Sequence, residues 1–70
     1  MQIDEFNDLV QKYREKNPHV RKGQAMFNLA WKHFDGMAYR VIGYEGIDPF
    51  YKDANIPAFI NFLVKEGYIT

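Results

Sequence analysis

Five cations crowd one short stretch of this sequence. Lys12, Arg14, Lys16, Arg21 and Lys22 lie within residues 12–22, where Glu15 is the single acid, so five positive charges less one negative leave +4. If a helix begins near residue 20, these side chains gather at its positive end. A site of that kind binds anions, because free backbone N–H groups and the helix dipole add to the side-chain charge. It would suit phosphate or nucleic acid. The same cations also fit a plainer role, as the last turn of one helix complementing its dipole, followed by a solvated turn. A helix-turn-helix reading fails on composition. The second helix is too apolar to lie exposed in a major groove.

Other residue types that carry chemistry are sparse. The chain has no Cys and no Ser, and its single Thr is Thr70. Hydroxyl and thiol nucleophiles are therefore almost excluded, and thiolate metal sites and disulfides wholly so. His19 and His33 stand fourteen residues apart, with Asp35 near the second, whereas a metal centre needs three or four converging ligands. The carboxylates Glu45, Asp48 and Asp53 match no calcium-loop spacing. Asp48 precedes Pro49, which suits a cap better than acid–base work. The sequence thus predicts no catalytic residues, no cofactor and no metal.

A third group is the aromatic surplus. Six Phe, five Tyr and one Trp in seventy residues is a high count. Tyr39, Tyr44, Phe50, Tyr51, Phe62 and Tyr68 exceed what the helices can obviously enclose. Exposed aromatic rings are the usual anchors of protein interfaces, so these six are the candidate partner-binding residues. The competing expectation is that a small core wraps all of them.

The segment that must position these groups is Val20–Phe34. Wound as an α-helix, it aligns Arg21, Gln24, Asn28, Lys32 and Asp35 on one narrow stripe and leaves apolar residues around most of its girth. Such a helix is buried by neighbours on several sides, so residues 20–34 are expected to form the central helix. Phe27 and Trp31 are its heaviest core candidates. Gly23 inside it costs about 1 kcal/mol relative to Ala, which implies close packing there. Gln24 and Asn28 are expected to tie down a loop such as 48–51.

Before it, Ile3, Phe6, Leu9, Val10 and Tyr13 repeat at helical spacing over residues 3–16, acidic at the start and basic at the end. Asn17-Pro18 stops that helix and can open the next, as cap and first residue. After Asp35-Gly36, a short helix is expected over Met37–Ile42, stopped by Gly43. Asp48-Pro49 opens a short turn or helix through Tyr51. A last helix runs over Pro57–Glu66, capped by Asn55 and stopped by Gly67, and residues 68–70 form a tail able to fold back. The segment 39–44, YRVIGY, is the one strand-like piece, with no evident partner.

Seventy residues make one domain, near the lower limit for folding alone, which invites self-association. Net charge is zero, which opposes nucleic-acid binding through global charge but not through a local patch. No apolar run reaches the ~18–20 residues of a membrane span. The lack of Cys and of a signal peptide predicts a reducing cytoplasm.

Three strings carry a resemblance. Arg21-Lys22-Gly23-Gln24-Ala25-Met26-Phe27-Asn28 has the pattern R-x-G-Q-A-x-x-N. It is followed by Asp48-Pro49-Phe50-Tyr51 and then by Ile56-Pro57-Ala58-Phe59. In that order they resemble a group of small proteins of tailed bacteriophages and prophages, over about residues 5–64. The resemblance implies a phage origin and a compact helical fold, and it supplies neither an activity nor catalytic residues. The resulting expectation is an all-α bundle of about four helices, two of them short. Functionally it is a non-catalytic protein-interaction module in the host cytoplasm, binding a host or phage protein as an inhibitor or accessory factor. The alternatives are a nucleic-acid binder using the 12–22 corner and a minor virion component that self-associates.

Overall fold

A computed structural model describes residues 1–34, 41, 44 and 46–70. Among these residues the chain is all-α, with three α-helices, one 3-10 turn and no strand. Helix α1 spans Ile3–Lys16, α2 spans Lys22–His33, the 3-10 turn spans Asp53–Asn55, and α3 spans Ile56–Lys65. That is one α-helix fewer than the four expected. The short helix expected over residues 37–42, its Asp35 cap and Gly43 stop, and the strand-like 39–44 segment lie outside the described residues except for Val41 and Tyr44. Val41 is buried and Tyr44 exposed. The radius of gyration, 10.9 Å, equals the roughly 11 Å expected of a compact chain of this length.

Helix α1 forms where the apolar spacing demands it. Phe6 and Val10 are buried, and Ile3, Leu9 and Tyr13 pack beside them. Glu5 accepts a 3.2 Å hydrogen bond from the Gln2 backbone N–H at the start. Asn17 ends the helix: its backbone N–H and its Nδ2 both donate to the Tyr13 carbonyl. This side chain is therefore spent on α1 and cannot cap α2. Residues 17–20 make a turn, with Val20 N donating to Asn17 O at 3.0 Å. Helix α2 begins at Lys22 rather than near residue 18 or 20, with Arg21 at its N-cap position.

Helix α2 is the central element. Gly23, Ala25, Met26, Phe27, Leu29 and Ala30 are all buried along its twelve residues, as a helix apolar over most of its girth requires. Trp31 departs from expectation. It keeps 43% of its surface exposed, with its ring leaning on Phe27 at a centroid distance of 6.2 Å. On the helical wheel Trp31 falls between Phe27 and the polar Gln24–Asn28 stripe. The ring therefore closes the edge of the core instead of filling it.

The largest fully buried side chains come from all parts of the chain: Phe6, Met26, Val41, Pro49, Phe59, Leu63 and Ile69. Rings chain the layers together. Phe34 meets Phe6 at 5.7 Å and stacks on Tyr68 at 5.4 Å, while Phe27 stacks on Phe59 at 6.2 Å. Helix α3 starts with Pro57 in its first turn and ends as Gly67 takes φ +82°, a left-handed stop that glycine adopts without strain. The tail then folds back. Ile69 is fully buried, Thr70 N donates to Met1 O at 3.0 Å, and Ile3 N donates to Thr70 O at 2.9 Å. Both ends of the chain are thereby tied together.

Candidate functional site

The loop over residues 46–52 connects Gly46, at φ +86°, to the 3-10 turn. Its shape is fixed by side chains spaced along the sequence. The Asp48 carboxylate accepts from Phe50 N at 2.9 Å, a bond that closes a local turn. Asp48 is thus the cap of a turn, and no helix follows it before the 3-10 turn. Asn55 sits at the N-cap position of α3 but makes no side-chain cap bond there; its Nδ2 donates instead to Asp48 O at 2.9 Å.

The far end of the loop is bolted to α2. One Asp53 oxygen, Oδ1, accepts from Gly23 N at 3.0 Å and pairs with Arg21 Nη1 at 2.9 Å. The second Arg21 terminal nitrogen donates to the Phe50 carbonyl. Gly23 is essential to this seat. A Cβ built there would lie 2.3 Å from Pro49 O and 2.7 Å from Asp53 Oδ1, closer than atoms can stand. The expected anchoring role of Asn28 goes elsewhere: its Nδ2 reaches the Tyr13 hydroxyl on α1 at 3.4 Å.

Held in this way, the loop presents rings. Phe50 meets Phe27 edge-on at 5.6 Å, and Tyr51 meets Phe50 edge-on at 4.8 Å. Tyr51 is 79% exposed. With Trp31 beside Phe27, four rings run contiguously from α2 to the loop tip. Three of these rings, Phe27, Phe50 and Tyr51, line a pocket of about 150 Å³ together with Asp48. Asp48 is only 7% exposed, a charged side chain buried at the base of the loop.

The six aromatic candidates therefore divide. Phe50 and Tyr51 belong to this edge, and Tyr44 is 60% exposed near the start of the loop. Phe62 and Tyr68 are half-buried and pack against the core; Tyr68 is held by its stacking on Phe34. Tyr39 lies outside the described residues. Sequence reasoning missed Trp31 as a surface ring and Phe27 as the pocket wall beneath it. The wheel position of Trp31, adjacent to the polar stripe, was the available signal.

The basic corner is partly spent on structure. Arg21 is bound to Asp53 and to the Phe50 carbonyl, and Arg14 Nε donates to Val20 O at 3.3 Å. Asp53 already occupies the N-terminus of α2, where an external anion would sit. Lys12, Lys16 and Lys22 are exposed. A shallow groove there is lined by Arg14, Glu15, Pro18 and Lys22 among others, so an acid shares it with the cations. His19 and His33 are both exposed. Among the described residues no three His, Asp or Glu side chains converge as metal ligands, and no helix is long and apolar enough to cross a membrane. Glu45 and Asp35 lie outside the described residues.

No protein-family model matches the chain, and neither a curated protein nor a solved structure matches it significantly.

Proposed function

We propose that this chain is a small, non-catalytic protein-interaction module of phage or prophage origin, acting in the host cytoplasm as an inhibitor or accessory factor on a host or phage protein. The observation that carries this reading is the aromatic edge formed by Trp31, Phe27, Phe50 and Tyr51. Trp31 on α2 and Tyr51 on the loop keep large exposed areas although that loop is tightly bolted to α2. A protein with so small a core gains stability by covering such rings. Leaving them on a rigid platform suits a surface that another protein covers. Composition supports the non-catalytic part, because Ser and Cys are absent. The phage origin rests on the three strings described above.

Nucleic-acid binding through the 12–22 corner is the weaker reading, since Arg21 and the α2 N-terminus already serve Asp53. The test is a pull-down with tagged protein from bacterial host lysate, with nuclease added to half. A stoichiometric protein that survives nuclease, and is lost on W31A/Y51A, is the expected result. Bands lost on nuclease treatment would move the assignment to the basic corner. Self-association in an otherwise empty pull-down would favour the virion-component reading.

A further inference from the structure

We infer that Arg21 is the positioning residue of the aromatic edge: its guanidinium clamps residues 50–53, so that Tyr51 stands out from the loop in one orientation. The inference rests on the protein-interaction reading and names the residue that shapes that surface. Tyr51 is 79% exposed, and its ring meets Phe50 edge-on. A side chain with so little of its surface covered takes its direction from the backbone on either side. The Phe50 carbonyl belongs to the peptide plane that leads into Tyr51. Arg21 donates to that carbonyl through one terminal nitrogen and pairs with Asp53 Oδ1 at 2.9 Å through the other. One guanidinium thus holds the chain just before Tyr51 and again two residues after it. Tyr51 and Lys52 span the clamp.

The other anchors act on the root of the loop. Pro49 is fully buried, the Asp48 carboxylate accepts from Phe50 N, and Asn55 holds the Asp48 carbonyl. The tip is left to Arg21. The clamp suits arginine and not lysine. A guanidinium carries its donors on separate nitrogens in a fixed planar fork, whereas an ammonium is a point charge on a flexible stem. Lysine at position 21 keeps the charge and the attraction to Asp53 but gives up the fixed second bond. Asp53 keeps its own bond to Gly23 N. The positive charge of Arg21 is therefore used to fix a surface, and its geometry counts for more than its sign. A tip ordered in advance lowers the ordering cost of any complex formed on it.

The experiment compares the intact wild-type chain with Arg21→Lys by NMR relaxation of the backbone amides, with no partner present. Order parameters at Tyr51 and Lys52 are expected at about 0.85 in the wild type and below about 0.6 in Arg21→Lys. Amide exchange at Gly23, which reports on the Asp53 cap, should stay unchanged. Order parameters that stay near about 0.85 at Tyr51 and Lys52 overturn the inference. So does a loss of order spread through α1 and α3, which would make Arg21 a general stabiliser. Capture from host lysate supplies the functional arm. Arg21→Lys should lower the amount of captured protein about fivefold or more. The drop should be the same at about 50 and 200 mM salt, because the charge is retained. Full capture by a variant whose Tyr51 is loosened overturns the role given to Arg21, while W31A/Y51A decides separately whether the edge is bound. If the wild type captures nothing and the order parameters still fall as expected, the interaction reading fails and the clamp stands.

Discussion

Asp53 caps the first turn of α2 from thirty residues downstream, with Oδ1 3.0 Å from Gly23 N and 2.9 Å from Arg21 Nη1. The contact joins two of the strings on which the phage resemblance rests. Arg21 and Gly23 open the R-x-G-Q-A-x-x-N pattern, and Asp53 follows Asp48-Pro49-Phe50-Tyr51 closely. A long-range cap of this kind does the work that a Ser, Asp or Asn at position 21 would do locally. Its added consequence is that the start of α2 and the aromatic loop become one rigid unit.

Gly23→Ala is expected to destabilise the chain by about 1–3 kcal/mol, because the new Cβ meets the Pro49 carbonyl, which is backbone and cannot swing aside. At an exposed helical position the same change stabilises by about 1 kcal/mol. Urea denaturation decides between the two signs. A stabilised variant would show that loop and helix do not touch there.

Asp53→Ala removes both the cap and the ion pair. Because both partners are nearly half-exposed, the pair itself is worth only about 0.5–1 kcal/mol, and the cap about another 1. The expected total is about 1–2 kcal/mol. A double-mutant cycle with Arg21→Ala should give a coupling energy of about 0.5–1 kcal/mol that shrinks in high salt. A coupling of zero would show that the pair is incidental.

Trp31→Ala should cost only about 1–2 kcal/mol, since the ring is 43% exposed. Phe59→Ala, at a position with no exposure, should cost about 3–5 kcal/mol. The whole chain has about 4–10 kcal/mol to lose. Thermal melts should therefore show Trp31→Ala folded and cooperative and Phe59→Ala largely unfolded. The tryptophan emission of the wild type should be that of a solvent-touched indole.

Replacing Lys12, Lys16 and Lys22 with Glu should leave the fold and any captured partner nearly unchanged. These side chains are exposed, and surface charges contribute little to stability. Arg21 is kept in this variant because its loss would unseat the loop. Capture through the aromatic edge should hardly respond between about 50 and 200 mM salt, whereas phosphate binding by several cations would fall steeply. Capture that vanishes in the triple variant would contradict the aromatic site.

Much of the architecture is written in local pattern. The spacing of Phe6, Val10 and Tyr13 defines α1 to the residue, Asn17-Pro18 ends it, and Gly67 ends α3. Each signal acts over three or four residues, so the sequence displays it directly. The girth of apolar residues in α2 likewise required burial on several sides. Composition alone removed Ser and Cys nucleophiles and thiolate metal sites.

What tertiary structure decided was the assignment of polar groups that had several suitors. Asn17, Asp48, Asn55 and Asp53 all read as local caps or loop acids, yet Asn17 closes the helix before it and Asn55 reaches the loop carbonyl of Asp48. Asp53 caps a helix thirty residues away. A side-chain hydrogen bond is short and directional, so its partner depends on which segments the core brings within about 3 Å. Trp31 is the apolar counterpart. The wheel put it between core and stripe, and only the final packing, with Phe50 covering Phe27, left the indole at the rim. The residues that could contact a partner were therefore visible in the sequence as an aromatic excess. Which of them stand at the surface was settled by how a seventy-residue chain closes its core.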